Sequence, residues 1–524
     1  MRKPARKPDV PKSDPLALFH SPVREWFETV FPSPTPPQEL GWPVISRGES
    51  ALILAPTGTG KTLTAFLWCI DKLMFSSPPP AAERCRVLYI SPIKALAVDV
   101  ERNLRAPLAG VAQIARQQNV EFHEPLISIR TGDTPAAERS RFLRRPTDIL
   151  ITTPESIYLL LTSNARETLR SVETVILDEI HALVPSKRGS HLALSLERLE
   201  HICGRRLQRI GLSATQRPLE EVARFLGGVE AQRDVEQASD LLLDHESSSN
   251  VPRYRPVTIV DASAPKKLNL CVEVPLEDMR SLDEIEPIPS GPASQGPVRP
   301  SIWSAIHPKL LEFVRAHTST LIFVNSRRLA ERIAGAINEL AGEILVRAHH
   351  GSVAAAQRKD IEERMKMGTL KGIVATSSLE LGIDMGAVDL VVQIEAPPSI
   401  ASGMQRIGRS SHHVGGVSDA IIFPKYRGDL VACAAISRAM QEGKVESVSY
   451  PRNALDVLAQ QIVATVGMDD WETGELFSLI RGAAPYADLS RSMFESVLDM
   501  LSGRYPSDEF VELRPRVTWD RVSN

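Results

Sequence analysis

Short, unbroken apolar runs alternate with amphipathic stretches over most of this chain. Leu52–Leu54, Val87–Ile90, Ile149–Ile151, Val175–Leu177 and Ile210–Leu212 show no polar alternation, as strands covered on both faces require. Between them apolar residues recur at helical spacing, as in Leu63, Phe66, Leu67 and Ile70. A second series, Leu321–Val324, Ile373–Ala375 and Val388–Ile394, repeats this texture. The two series are separated by Glu286–Pro300, which is rich in Pro, Gly and Ser and reads as a connection. After Pro451 the pattern changes to a stripe of Leu455, Leu458, Ile462 and Val466, another of Phe494, Val497, Leu498 and Leu501, and an extended stretch Phe510–Val517. Three helices and a hairpin there match a small winged-helix domain. The expected fold is α/β, with two parallel-sheet domains in tandem followed by the winged helix. Its expected divisions are a basic disordered arm over 1–15, a first α/β domain over 16–262, a linker or insertion over 263–300, a second α/β domain over 301–450, and the winged helix over 451–524.

Charge alters this picture little but removes one class of protein. The formal net charge is −3, so binding to nucleic acid depends on a local groove, not on overall basicity. Cys69, Cys85, Cys203, Cys271 and Cys433 are scattered, with no C-x-x-C pair. They read as reduced thiols in a cytoplasmic protein, not as a disulfide framework or a metal site. No apolar run is long enough to span a membrane, and the basic start Met1–Pro8 lacks the apolar core of a signal peptide. Nothing in the pattern fixes an oligomeric state.

Chemistry enters at the ends of the apolar runs. Ala55-Pro56-Thr57-Gly58-Thr59-Gly60-Lys61-Thr62 follows one run and opens a helical stripe, the layout of a phosphate-binding loop. Glycines let the loop curl so that the N–H groups around Thr57, Gly58, Thr59 and Gly60 point at an anion, and the following helix adds its positive end. Lys61 is placed for the β- and γ-phosphates of ATP, and Thr62 for the shell of a Mg2+ ion. Asp178-Glu179-Ile180-His181 ends a second run. An acid there can hold the magnesium, which assigns Asp178, and its neighbour Glu179 can orient and deprotonate an attacking water.

Other strand ends carry Ser91-Pro92-Ile93-Lys94, Thr152-Thr153-Pro154-Glu155-Ser156 and Ser213-Ala214-Thr215. Each can cap a helix, Thr153-Pro154 most plainly, and each can also donate to a nucleic-acid backbone. The second series has Thr376 to Asp384, containing Gly382, and then Gln405-Arg406-Ile407-Gly408-Arg409. A phosphate loop in one domain and an arginine pair in the other imply a site assembled between them. A cleft-crossing arginine is worth on the order of 10³–10⁵ in phosphoryl-transfer rate.

In this order the motifs resemble those of superfamily 2 helicases, and the wording between them resembles the large helicase-related (Lhr) family. The closest phrases are Ser91–Leu104, Gly211–Leu219, His349–Ser352 and Phe423–Leu430. The resemblance implies two RecA-like domains and a winged helix that use ATP and Mg2+ to translocate 3′ to 5′ on single-stranded DNA and unwind DNA or RNA–DNA duplexes in DNA repair. It leaves RNA as an alternative partner, and a nucleic-acid-binding scaffold as an alternative to an ATPase. No membrane partner is implied, and a cytoplasmic protein would be nucleoid-associated when bound to DNA. Gln38 would read the adenine, Gly382 and Asp384 would touch the nucleotide, and Ser213 and Thr215 would couple hydrolysis to strand movement. Pro92, Lys94, Thr131, Gly132, Thr153, Pro154, Asn325, Arg327, His350, Gly351 and Thr376 would line the tracking strand. Arg409 would be the finger, supported by Gln405 and Arg406. After it, Ser410-Ser411-His412-His413 departs from the usual Gly-Arg-Ala-Gly pattern, with His412 where many superfamily members carry arginine. The family's further domain would follow Asn524, so the chain reads as C-terminally truncated.

Overall fold

A computed structural model describes residues 14–56, 58–214, 216–230, 252–263, 267–274, 302–380, 386, 388–410, 417–505 and 514–522. The expected arm (up to residue 13), most of the expected linker, Thr57, Thr215, Gly382, Asp384 and Ser411–His413 lie outside them.

Two all-parallel sheets carry the chain. The first orders its strands β3 (Ile127–Arg130), β4 (Ile149–Thr152), β2 (Val87–Ile90), β5 (Thr174–Leu177), β6 (Gln208–Ser213), β1 (Ala51–Leu54) and β7 (Thr258–Asp261). The second runs β10 (Val346–His349), β11 (Gly372–Ala375), β9 (Thr320–Phe323), β12 (Leu390–Ile394), β13 (Ser418–Phe423) and β8 (Leu268–Val272). Both faces of each sheet are covered. Leu52 and Leu54 point into one core while Ala51 and Ile53 point into another. Ile322 and Val324 likewise oppose Leu321 and Phe323. Burial on both faces explains why these strands read as continuous apolar runs.

Five strands escape that pattern. Ile127–Arg130 is only half-buried and sits at a sheet edge. Thr258–Asp261 and Leu268–Val272 are also edge strands with partly exposed side chains. Val346–His349 exposes Arg347, and Ser418–Phe423 exposes Asp419. The last two begin with mixed residues that break any apolar run. One correction follows for the expected linker. Leu268–Val272, inside the stretch 263–300, pairs with Ser418–Ile422 as the last strand of the second sheet.

The C-terminal helices Leu455–Val466, Thr473–Arg481 and Arg491–Leu501 pack on the first sheet's outer layer. Val457, Leu458, Ile462, Phe477 and Phe494 share one core with Leu192, Leu196 and Leu199 of the helix Lys187–Cys203. Polar bonds fix the angle of this contact. The buried Arg198 donates to Gln461 Oε1 at 2.9 Å, Ala464 O at 3.1 Å and Leu161 O at 3.2 Å. Gln461 in turn donates to His191 O and Ser195 Oγ, both at 3.1 Å. The helix Arg491–Leu501 turns Phe494, Val497, Leu498 and Leu501 inward, and it serves as a brace. The extended stretch expected at Phe510–Val517 falls largely outside the described residues. Arg516 N, at its end, donates to Leu501 O at 2.7 Å.

A buried guanidinium that loses a partner leaves an uncompensated donor. Gln461→Ala is therefore expected to destabilise the contact between the first sheet and the C-terminal helices by about 1.5–3 kcal/mol. Chemical denaturation followed by tryptophan fluorescence checks it, since Trp471 packs on His201 at this boundary.

Candidate functional site

The loop after β1 is shaped by its glycines. Gly58 and Gly60 adopt φ of 83° and 81°, the left-handed region that disfavours side chains. Gly60 caps the helix Lys61–Phe75. A Cβ on Gly60 would lie 2.9 Å from Gln38 Nε2, so this glycine also makes room for that amide. Gln38 is held in turn by a capping box, its Oε1 accepting from Thr35 N at 2.8 Å, while Thr35 Oγ1 donates to Thr59 O at 2.8 Å. Gln38 is thus packed against the loop. Lys61 is 7% exposed, and its Nζ has no hydrogen-bond partner among the described residues. A buried ammonium beside inward-curled backbone and a helix N-terminus fits the phosphates of a nucleotide.

The acids stand two strands away, after β5. Asp178 accepts from the Tyr89 hydroxyl and, through Oδ1, from Glu179 N at 2.8 Å. Burial, then the neighbouring Glu179 charge, pushes the Asp178 carboxyl up to about 6, against the Tyr89 hydrogen bond and the Lys61 ammonium. Burial and the Asp178 charge together push the Tyr89 phenol well above its ordinary range, so it stays a donor. The donor set of Thr62 and Asp178 beside Lys61 suits Mg2+, a hard cation that takes few protein oxygens and keeps its waters.

Glu179 takes a left-handed φ of 44°, a strained conformation that turns its side chain toward His181. His181 Nδ1 lies 3.4 Å from Glu179 Oε2 and 3.2 Å from Ser213 Oγ. Its Nε2 lies 2.7 Å from Gln405 Nε2 of the second unit. The amide N–H is the donor there, so Nε2 accepts and Nδ1 carries the proton. Burial lowers the ring's pKa more than the Glu179 charge raises it, which keeps the imidazole neutral. One histidine therefore joins the serine ending β6 to the glutamine of the second unit, with the acid after β5 beside it.

The arginines are arranged around a residue the sequence did not single out, Glu380. Arg406 is 2% exposed. It donates to Glu380 Oε2 at 3.1 Å and to Asn325 Oδ1 and Gln393 Oε1, both at 3.0 Å, and it lies over the Phe323 ring. Its fork is spent inside the second unit, where it positions Asn325 and Glu380. Arg409, also 2% exposed, donates to Glu380 O at 2.8 Å. Only the order of motifs, not any local pattern, would have singled out Glu380.

A cleft of about 1360 Å3 separates the two units. Pro92, Lys94 and Thr153 line it from the first unit, and Asn325, Arg327, Gly351 and Thr376 from the second. Four other expected contacts stand outside this lining. Pro154 is buried as the first residue of the helix Pro154–Leu161. His350 is buried, with Nε2 2.8 Å from Glu331 Oε1 and Nδ1 accepting from Ser352 N at 3.3 Å, so it shapes the Gly351 turn instead of facing the cleft. Thr131 is buried, and Gly132 is exposed beside Lys94, whose Nζ bonds Asp133 Oδ1 at 2.6 Å. The lining adds residues that the sequence did not suggest, among them Arg188, Gln216, Arg358 and Glu446. Arg188 and Arg358 come from the first turns of helices, Glu446 from a connection and Gln216 from within Gly211–Leu219, and only folding gathers them.

Two parallel sheets, a phosphate loop and an acid pair in one, and an arginine-bearing helix facing it from the other, make a two-domain RecA-like helicase core. Family descriptions agree: DEAD/DEAH box helicase over residues 35–223, helicase conserved C-terminal domain over 306–413, and large helicase-related protein winged helix domain over 438–524. The chain belongs to the large helicase-related (Lhr) family. It is 46% identical over 97% of its length to the Lhr helicase/probable uracil glycosylase of Mycolicibacterium smegmatis, of which it spans 33%. It is 38% identical over 96% of its length to the ATP-dependent helicase Lhr-Core protein 2 of Thermococcus barophilus, spanning 55% of it. The structure of Mycobacterium smegmatis helicase Lhr bound to ssDNA and AMP-PNP superimposes with a TM-score of 0.83 at 47% identity, over 97% of this chain and 60% of that one.

Gly60→Ala tests the loop. Forcing a side chain into the left-handed region costs about 1–2 kcal/mol, and the new methyl would also press on Gln38. Affinity for a fluorescent ATP analogue is expected to fall at least tenfold, with the melting temperature little changed.

Proposed function

We propose that this chain is an ATP-driven motor that translocates 3′ to 5′ along single-stranded DNA and separates DNA or RNA–DNA duplexes, with a role in DNA repair. The single observation that carries the reading is the His181 bridge, which ties the serine ending β6, beside the acid after β5, to the opposite unit across the cleft. Lhr-Core relatives are named ATP-dependent helicases, and the Lhr neighbour is bound to ssDNA. The chain spans about a third of its bacterial relatives, so the activity assigned here is that of the segment in hand. No described helix is long and apolar enough to cross a membrane, and we assign the protein to the cytoplasm, on the nucleoid when bound to DNA.

In this reading Gln38 recognises the adenine, and Thr57–Lys61 hold the phosphates. Mg2+, held through Thr62 and Asp178, supplies charge neutralisation on the β- and γ-phosphates. Glu179 orients the attacking water and takes its proton. Arg409 contributes positive charge from the second unit, while Arg406 and Glu380 hold the helix that carries it. Gly382 and Asp384 would touch the nucleotide from that unit. Ser213 and Thr215 couple hydrolysis to strand movement, Ser213 through its contact with His181. Along the cleft, Pro92, Lys94, Thr153, Asn325, Arg327, Gly351 and Thr376 hold successive phosphates, with Thr131, Gly132, Pro154 and His350 supporting them. Closure with ATP and reopening after hydrolysis would alternate the grip of the two units.

Three measurements test this. Lys61→Ala is expected to abolish DNA-stimulated ATP turnover while single-stranded DNA still binds; equal turnover in both proteins would favour a scaffold. Unwinding is expected with 3′-tailed and not 5′-tailed duplexes, and the reverse result would overturn the polarity. Gln405→Ala, which cuts the bridge to His181, is expected to lower the DNA-stimulated rate about tenfold, the equivalent of 1.4 kcal/mol in the barrier, with basal turnover much less affected.

A further inference from the structure

The helix Ile400–Ile407 carries Gln405 and Arg406, and its first turn opens onto the cleft through Ser399, Ala401 and Ser402. Ser399 Oγ caps the turn by accepting from Ser402 N at 3.0 Å. The next free N–H groups, of Ile400 and Ala401, both donate to the carboxylate of Glu446, the second at 3.1 Å. Two backbone N–H groups at a helix N-terminus holding two oxygens of one anion is the arrangement by which such turns hold phosphate. Glu446 itself is exposed and lies in the connection leading to the C-terminal helices.

A second observation points to a ligand at the same place. Ser402 is 7% exposed, lines the cleft, and its Oγ has no hydrogen-bond partner among the described residues. On the first unit's wall Gln216 is 2% exposed, and neither its amide oxygen nor its nitrogen has one. A buried polar atom without a partner costs ~1–3 kcal/mol, and both of these side chains carry a hydrogen-bond donor. The acids of the lining differ in how they are neutralised. Glu155 pairs with Arg188 and Glu380 with Arg406, whereas Glu446 is met by backbone N–H groups. Burial tends to raise the Glu446 pKa, but those N–H groups outweigh it and hold the carboxyl below its ordinary range.

We propose that the first turn of the helix Ile400–Ile407 is a subsite for one backbone phosphate of the bound strand, and that Glu446 closes it by standing in for that phosphate until the strand displaces it. The proposal deepens the reading of the cleft as the nucleic-acid path and rests on it. Displacement has a mechanical consequence. The residues after Glu446 are tied to the first unit, where Val448 N donates to Arg217 O at 2.7 Å and Ser447 bridges Arg217. Arg217 follows the Ser213 segment closely in sequence. Seating a phosphate therefore releases one end of a strap whose other end holds the segment that senses His181.

The test is fluorescence anisotropy with single-stranded DNA and with a set of the same strand, each carrying one neutral methylphosphonate. Glu446→Gln keeps an acceptor at the turn but removes the competing charge, and is expected to bind the unmodified strand up to about fivefold more tightly, the scale of one exposed charge interaction. One methylphosphonate position is expected to cancel this gain while the others weaken both proteins alike. Ser402→Ala added to Glu446→Gln is expected to return the affinity toward wild type. Unchanged affinity in Glu446→Gln, or a gain that every modified strand retains, would overturn the subsite while leaving the cleft reading intact. Failure of both proteins to bind any strand would instead take away the cleft reading and the subsite with it.

Discussion

Everything chemical in this molecule depends on one neutral imidazole placed between two sheets. His181 meets Ser213 Oγ through Nδ1 and accepts from the Gln405 amide through Nε2, and burial keeps the ring neutral. A charged imidazolium would donate from both nitrogens and could no longer accept from Gln405. The bond across the units therefore needs the neutral ring.

The second unit meets that demand by spending a buried arginine on architecture. Arg406 satisfies Glu380, Gln393 and Asn325 at once. Breaking such a cluster leaves buried polar groups uncompensated, which is far costlier than losing a surface pair. The same fork fixes Asn325, on the cleft, and Glu380, whose carbonyl holds Arg409. Asn325 and the carbonyl that holds Arg409 are thus set by a single guanidinium, so neither can shift alone.

The division between what was legible in the sequence and what was not follows burial. Strands covered on both faces announce themselves, as Leu52–Leu54 and Ile149–Ile151 do, because no polar residue is tolerated there. Edge strands such as Ile127–Arg130 and Leu268–Val272 carry polar residues on an open side and read as loops. Glycine loops and strand-end acids were legible because their chemistry fixes residue type at fixed spacing. Glu380, Gln216 and Glu446 were not, since their roles come from where the fold sets them. His350 shows the converse: motif wording pointed at the residue, but its side chain faces Glu331 and leaves the adjoining Gly351 to line the cleft.

The C-terminal helices complete the same logic. They share a core with the first unit, and Arg198 and Gln461 lock the angle between them. The connection that reaches them passes the first turn of the helix Ile400–Ile407 at Glu446 and then Arg217. Its far end is fixed to the first unit while its near end is held by a competitor for phosphate. On the reading proposed above, a strand entering the cleft would act on that near end, and the fixed far end would give the resulting pull a direction. A rigid brace is what such a device requires, because a mobile C-terminal layer would absorb the displacement before it reached the Ser213 segment.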